Sequence, residues 1–379
     1  MSRKPKHQAI SSQLRAEIAA GRFGLNDRLP SETQLVATFG VSRPTAARAL
    51  RDLQAEGLIE RRAGSGTYLR TGAAEVAAIR QLGLLVPGLE TTEIFGSICG
   101  ELASLCRAHD YSLLWGGSTR PHADTDSSQE HSQEICRHFI DHKVNGVFFA
   151  PYELVAGQEE TNRQLAELLR GSGIPVVLLD RDVRSFPQRS DFDLVGVDNF
   201  AAGFMLARHL LSLGCERIRF VARPLSAPTV NARITGVLEA LTQHHLQPAP
   251  NWVCLGNPAD LKFVRSLTAG NLTDAFICAN DLTAARLMQS LGNIGLRVPQ
   301  DVRVAGFDDV KFATLLSVPL TTIHQPCQGI ATVAFDAMLE RISGKPIPPR
   351  SLMLTPSLVV RESCGNYLSK KGASQNRPR

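Results

Sequence analysis

Residues 41–69 read VSRPTAARALRDLQAEGLIERRAGSGTYL. A serine precedes a run that carries Arg43, Pro44, Thr45 and Arg48 in its first turns and Ala49, Leu50 and Leu53 on one apolar face. Ser42 is therefore expected to cap a helix, and Pro44 is tolerated because first-turn amides have no intrahelical acceptor to lose. Just upstream, Gly40 makes a turn, and Ser31 stands three residues before Gln34, the pattern of a capping box opening a short helix that reaches Phe39. Two helices joined by a tight glycine turn form a helix-turn-helix whose second helix is suited to enter a major groove N-terminus first. After Gly57, Leu58–Leu69 alternates in strand fashion around Gly64-Ser65-Gly66, which predicts a β-hairpin wing with Arg61 and Arg62 at its base. A phosphate-cradling loop is the rival reading of those glycines, but they lead into a strand and not into a helix carrying a lysine. Farther out, Ile10, Leu14 and Ile18 recur on one face of an amphipathic helix over Gln8–Ala20.

Charge is distributed in the same sense. Of the net +5, residues 1–72 hold 12 Lys and Arg against 6 Asp and Glu, and Gly365–Arg379 adds 4 basic and no acidic residues, so the body between is mildly acidic. A basic head on an acidic body points to a polyanionic partner for the head alone.

The motifs Leu29-Pro30-Ser31-Glu32, Val41-Ser42-Arg43-Pro44-Thr45, Ala49-Leu50 and Glu56-Gly57-Leu58-Ile59 through Gly64-Ser65-Gly66-Thr67 resemble the GntR-type winged helix over residues 8–70. That resemblance implies DNA contacts at Ser42, Arg43, Thr45 and the wing residue Gly64. Ser31, Arg48 and Arg62 complete the expected DNA-binding set, and Arg43 is the expected base reader because a guanidinium matches guanine bidentately. The chain departs from the family at Ala47, where an arginine is common.

Beyond an Ala-rich stretch at 71–80, read as a linker, the pattern changes to short apolar runs separated by helical periods. Leu82–Val86, Tyr111–Trp115, Gly146–Ala150, Pro175–Leu179, Leu194–Val197, Ile218–Val221, Trp252–Leu255, Ala275–Ala279 and Val302–Gly306 read as buried strands. Helical stretches lie between most of them, for example Ile94–Ala108, Asn199–Leu213, Asn231–His244, Asp281–Leu291 and Gln328–Ile342. This alternation implies parallel sheets with right-handed crossovers, and ligands of such sheets bind at the carboxyl ends of the strands. Asp180 and Arg181, Asn280, Asp308 and Gln325 stand there, with Arg233 at the opening of a helix. Carboxylates, carboxamides and guanidinium forks on one cleft suit a ligand dense in hydroxyls, such as a sugar. Asp198, Asp281 and Asp309 are read as helix caps and left out of that set.

Leu179-Asp180-Arg181, Val197-Asp198-Asn199, Asn231-Ala232-Arg233-Ile234-Thr235-Gly236, Ala279-Asn280-Asp281, Gly306-Phe307-Asp308-Asp309 and Pro319-Leu320-Thr321-Thr322-Ile323 are similar to the lactose and galactose repressor sensor domain, itself similar to periplasmic ribose-binding proteins. The resemblance implies sugar contacts at Asp180, Arg181, Arg233, Asn280, Asp308 and Gln325, with Phe95 covering a sugar face. Ile94 stands where the family has a second aromatic, and a stacking aromatic near Asn257-Pro258 is missing.

The expected chain is thus an α/β protein. It has a winged-helix domain over 1–70, a linker over 71–80, a doubly wound sensor of two subdomains in the type I periplasmic-binding-protein manner over 81–362, and a disordered tail over 363–379. The lobes are expected to be joined near Val195–Asn199, Thr322–Gln325 and Leu354–Ser357. Together the resemblances describe a chimeric regulator of the arabinose-repressor type. Its expected partners are double-stranded operator DNA, a small effector of sugar type and a second copy of the chain, since one winged helix covers only a few base pairs. Cofactors, metals and membranes are not expected: no long apolar run occurs, and the histidines lack metal-ligand spacing. The eight scattered cysteines are read as reduced thiols of a cytosolic protein. An enzyme is the rival class, but the sequence has no G-x-S-x-G elbow, Walker loop or dinucleotide fingerprint. A sugar-transport protein is opposed by the polar, basic segment Met1–Gln8, which precedes no apolar signal region.

Overall fold

A computed structural model describes residues 6–19, 22–23, 27–62, 65–70, 80–86, 93–116, 125–270 and 273–367. It divides into two compact units, one of Met1–Gln81 with Cys106–Ser112 and one of Leu82–Leu105 with Leu113–Arg379. The expected linker, apart from Arg80, lies outside the described residues, as do Gly64 and the tail from residue 368 onward.

The head consists of α1 (Lys6–Ala19), α2 (Glu32–Phe39), α3 (Arg43–Ala55), β1 (Ile59–Arg62) and β2 (Gly66–Leu69). The helical periodicity of Ile10, Leu14 and Ile18 delivers all three into one core with Leu35, Ala46, Ala49, Leu50 and Leu53, to which the wing adds Ile59 and Leu69. β1 and β2 pair antiparallel from Ile59–Leu69 to Arg62–Gly66, and the Leu29 amide donates to the Thr67 carbonyl at 2.9 Å, tying the segment before α2 to the wing. Gly66 has φ +130°, and a Cβ there would sit 2.3 Å from Arg28 Nε, so only glycine turns the wing this closely against Arg28.

Among the described residues, the larger unit holds two six-stranded sheets. The first has the order β13-β7-β6-β5-β3-β4, built from β3 (Gln81–Leu85), β4 (Ser112–Gly116), β5 (Gly146–Phe149), β6 (Val176–Leu179), β7 (Asp193–Val197) and β13 (Ser351–Leu354). The second has the order β14-β12-β11-β10-β8-β9, built from β8 (Ile218–Ala222), β9 (Val253–Leu255), β10 (Ala275–Cys278), β11 (Arg303–Asp308), β12 (Thr321–His324) and β14 (Ser357–Val359). The helices between them are α4 (Glu93–Ala108), α5 (Thr125–Asp141), α6 (Gln158–Gly171), α7 (Asn199–Ser212), α8 (Pro228–Gln243), α9 (Leu261–Thr268), α10 (Asp281–Asn293) and α11 (Cys327–Ile342). Val147, Phe148, Val177, Leu178, Phe276 and Ile277 are wholly buried, as strands covered on both faces must be.

The expectation of parallel strands fails at β14, which pairs antiparallel with β12. The reason is topological. β12 carries the chain out of the second sheet towards α11, and β14 brings it back over the same boundary in the opposite sense. The chain passes between the lobes at 197–199, 324–327 and 354–357, where the sequence placed the crossovers. The Asp198 amide donates to Leu354 O at 2.9 Å and His324 lies in register with Ser357, so the crossings are laced together.

α7 and α8 approach backbone to backbone because a Cβ at Gly203 or Gly236 would collide with the other helix's carbonyls. That approach places Asn199 and Arg233, at the N-terminal ends of the two helices, side by side. The expected boundary at 362 is too early. Ser363 and Cys364 are fully buried, and Ser363 Oγ donates to Val304 O at 2.6 Å while accepting from the Thr321 amide at 2.8 Å. Those backbone groups need partners inside the core, so the folded unit continues through Cys364.

Candidate functional site

In the head, the capping box is formed as expected: Ser31 Oγ accepts from the Gln34 amide at 3.3 Å, and Gln34 Oε1 accepts from the Ser31 amide at 2.8 Å. Ser42 occupies the N-cap position of α3, but its hydroxyl lies 2.8 Å from that of Thr45 instead of capping an amide. The cap is thus carried by its carbonyl, which accepts from Thr45 and Ala46. Both hydroxyls are left at the exposed start of α3, beside the exposed side chains of Arg43 and Arg48. Glu32 accepts from Arg61 at 2.8 Å and from Arg43 at 3.2 Å. The Arg61 hydrogen bond, with that of Arg43, holds the Glu32 carboxyl below its usual range despite slight burial. Glu32 thus joins the first turn of the recognition helix to the wing, a link that the sequence reading did not include. Arg62 pairs with Glu60 and lies over the Tyr68 ring, 4.9 Å from its centroid.

In the larger unit, a cavity of about 220 Å³ opens where the carboxyl ends of the strands face each other, lined among others by Glu153, Asp180, Arg181, Arg223, Arg233, Asn280, Arg286 and Asp308. Asp180 follows β6 and Asp308 ends β11, with φ of +66° and +116°. Non-glycine residues there are strained by ~1–3 kcal/mol each, a cost typical of functional positions. Arg181 is buried and bridges Asp180 Oδ2 at 3.0 Å and Glu153 Oε1 at 2.8 Å. Although burial opposes its charge, the two carboxylates raise Arg181 above its ordinary value. Arg233 donates to Asn199 Oδ1 at 2.8 Å and Ala279 O at 2.6 Å, stands 3.9 Å from Asp308 Oδ1, and lies over the Phe307 ring. Its backbone and carboxamide bonds, more than an ion pair, fix its fork. Gln325 Nε2 donates to Asp308 Oδ1 at 2.7 Å. Burial pushes the Asp308 carboxyl up to about 7 against the pull of Arg233 and Gln325, with Asp180 and Glu153 adding to the rise.

Two buried oxygens in this network, Asp180 Oδ1 and Gln325 Oε1, have no hydrogen-bond partner among the described residues. Buried acceptors are rarely left so, because an unmade bond costs ~1–3 kcal/mol. Asp180 lines the cavity and Gln325 the groove beside it. Across the cleft, the Leu154 amide donates to Leu225 O at 2.7 Å and the Ala227 amide to Glu153 Oε2 at 3.2 Å, so the lobes already touch.

Five of the expected ligand residues, Asp180, Arg181, Arg233, Asn280 and Asp308, line this cavity. Gln325 lines a wider neighbouring groove that shares Asp308. Phe95 does not present a face to the cavity: it is 3% exposed and its ring lies under the Arg181 guanidinium at 5.3 Å, leaving Ile94 on the wall. The neighbours Asn280 and Asp281 also differ from expectation. Asn280 is the cap of α10, accepting from the Thr283 amide at 2.8 Å, while Asp281 is wholly buried and accepts from Thr322 Oγ1 at 2.6 Å and the Val310 amide at 3.1 Å. Burial and the nearby Asp308 charge raise Asp281 well above the usual carboxylate range. Asp198 caps α7 as expected through the Ala201 amide, but Asp309 pairs instead with Arg361 and His324. Glu153, Arg223 and Arg286 were not foreseen. Arg223 directly follows β8, where the strand-end rule points, whereas Glu153 and Arg286 carry no positional signal.

Two family models match the chain: the bacterial regulatory proteins of the gntR family over residues 6–69, and the periplasmic binding protein-like domain over residues 207–364. The arabinose metabolism transcriptional repressor of Geobacillus stearothermophilus is 25% identical over 370 residues, spanning 95% of this chain and 97% of that protein. The HTH-type transcriptional repressor PurR of Vibrio campbellii is 29% identical over 291 residues, 75% of this chain and 81% of its own length. Among solved structures, the transcriptional regulator CelR-cellobiose complex superposes with a TM-score of 0.64 at 20% identity, covering 88% of this chain and all of that one. The transcription regulator GntR from Chromobacterium violaceum gives 0.61 at 25% identity over 75% of this chain and 99% of its own. These relatives are transcriptional regulators and not enzymes, and no described helix is long and apolar enough to cross a membrane.

Proposed function

We propose that this chain, a transcriptional regulator that joins a gntR-type DNA-binding domain to a periplasmic-binding-protein-like sensor, is a repressor whose operator affinity is set by a small polar ligand of sugar type. One observation carries the ligand half of the reading: buried acceptors of Asp180 and Gln325 stand without donors among guanidinium and carboxylate groups fixed by the fold. Hydroxyls of a sugar satisfy such acceptors, and the cellobiose-bound neighbour is a precedent for a sugar in this fold. The DNA half rests on Ser42, Arg43, Thr45 and Arg48 at the start of α3 and Arg62 on the wing, with Gly64 as the family's wing-tip contact.

In this reading the chain acts in the cytoplasm as a homodimer on a two-fold operator and has no catalytic step. The ligand bridges the two lobes, favours one closure of the cleft, and changes the spacing of the paired heads. It does so only to the extent that it binds the two closures with different affinity. The test is a thermal-shift screen of the full chain against pentoses, hexoses and disaccharides, free and phosphorylated, because a ligand of the native state raises apparent stability. A hit lost in Asp180→Asn supports the cleft as the site. A hit that survives that change places the effector elsewhere.

A further inference from the structure

The cavity wall carries four arginines, Arg181, Arg223, Arg233 and Arg286, against three carboxylates, Glu153, Asp180 and Asp308. These charges are not all engaged. Arg181 is held between Glu153 and Asp180, and Arg233 between Asn199 and Ala279. Arg223 and Arg286 have no side-chain hydrogen bond or ion pair to any described residue, although both are only partly exposed on the wall. Arg223 comes directly after β8. Arg286 lies in the second turn of α10, whose N-terminal residues Asn280, Leu282 and Thr283 line the same wall. A helix N-terminus adds a partial positive charge on that side. Opposite in chemistry, the buried Asp180 Oδ1 awaits a donor.

We propose that the ligand of this cavity is a small polyhydroxylated oxyanion, its phosphate or carboxylate group met by Arg223 and Arg286 and a hydroxyl donated to Asp180. The proposal rests on the reading of the cavity as the effector site and narrows its occupant. A neutral sugar would leave both guanidinium groups on the wall without a counter-ion, whereas an oxyanion forms charge-assisted hydrogen bonds with both. Size agrees: about 220 Å³ is below the ~300–1,000 Å³ of pockets that take drug-sized molecules, which fits one sugar ring with one charged substituent. With burial holding Asp308 protonated up to about 7, the wall is more positive than its carboxylate count indicates.

Calorimetric titration of the full chain with pentose and hexose phosphates, the matching sugar acids, the matching free sugars and inorganic phosphate tests this. An anionic member is expected to bind more tightly than its free sugar. Arg223→Gln and Arg286→Gln, whose fold is checked by circular dichroism, are each expected to weaken it about tenfold or more, the size of one charge-assisted contact, and to remove its advantage over the free sugar. Whether phosphates or acids respond identifies the source of the anion. Free sugars binding as well as every anion, with both arginine variants unaffected and Asp180→Asn inactive, would overturn the proposal and leave the sugar reading standing. If no sugar, charged or neutral, binds, both are overturned.

Discussion

The arginines of the head and those of the cleft are the same residue type in opposite environments. The Arg43 side chain is 77% exposed and pairs with Glu32, whereas Arg181 is 3% and Arg233 6% exposed. An exposed guanidinium keeps its water, adds little to folding, and reaches a polyanion over distances that salt can screen. A buried one has lost its water and is stable only with its carboxylates and carbonyls in place. Truncating an exposed head arginine therefore costs the fold little, while truncating Arg181 or Arg233 breaks buried contacts that the fold relies on.

The sharpest way to break that contrast is a pair of truncations. Arg181→Ala leaves Asp180 and Glu153 without their shared cation, so a loss of ~3–5 kcal/mol in urea unfolding is expected, while Arg43→Ala is expected to stay within ~0.5 kcal/mol of the parent. Equal losses would erase the distinction. The second effect in size falls on binding. Arg43→Ala is expected to cost ~1–3 kcal/mol in affinity for specific DNA and to relax preference at one base position, while Arg48→Ala, treated as a phosphate contact, weakens all sequences alike and reduces the salt slope by about 1.

The third prediction uses pH. Asp308 holds its proton up to about 7 in the folded chain, far above a carboxylate in the unfolded one. Between those two values the folded state binds the proton and the unfolded state does not, so stability falls as pH rises through that window. Asp308→Asn should flatten this slope by no more than one proton's worth, ~1.4 kcal/mol per pH unit. An unchanged slope would mean that Asp308 is already ionised. The smallest effect belongs to the head: Ser31→Ala removes one half of the capping box and is expected to cost ~1 kcal/mol, read as a lowered unfolding temperature, with the cleft untouched.

The two regions also differed in how far their sequences could be read. In the head, the signals are local: a cap, a glycine turn and the period of Ile10, Leu14 and Ile18 each fix geometry within a few residues. Only the Ser42 hydroxyl misled, because Thr45 competes for it at the same helix end. In the larger unit, buried parallel strands such as Val176–Leu179 stand out as unbroken apolar runs, and the residues that end them, Asp180 and Asp308, follow from the topology. The identity of the cap at Asn280-Asp281 was not legible, since either side chain can cap and one step along the chain decides which faces the core. Phe95 could not be placed, because its stacking on Arg181 is a contact between residues far apart in sequence. Glu153 and Arg286 were hidden for the same reason: their meeting with the cleft depends on loop path and helix face.

The central claim is that occupancy of the cleft changes DNA affinity. Its most direct test is the affinity of the full chain for an operator fragment that it selects from random DNA, with and without a saturating amount of the ligand found by thermal shift, in the parent and in Asp180→Asn. The expected result is a change of about tenfold or more in the parent, the scale of a coupling between two sites, and none in the variant. The same affinity with and without ligand in the parent, while calorimetry shows the cleft filled, would contradict it.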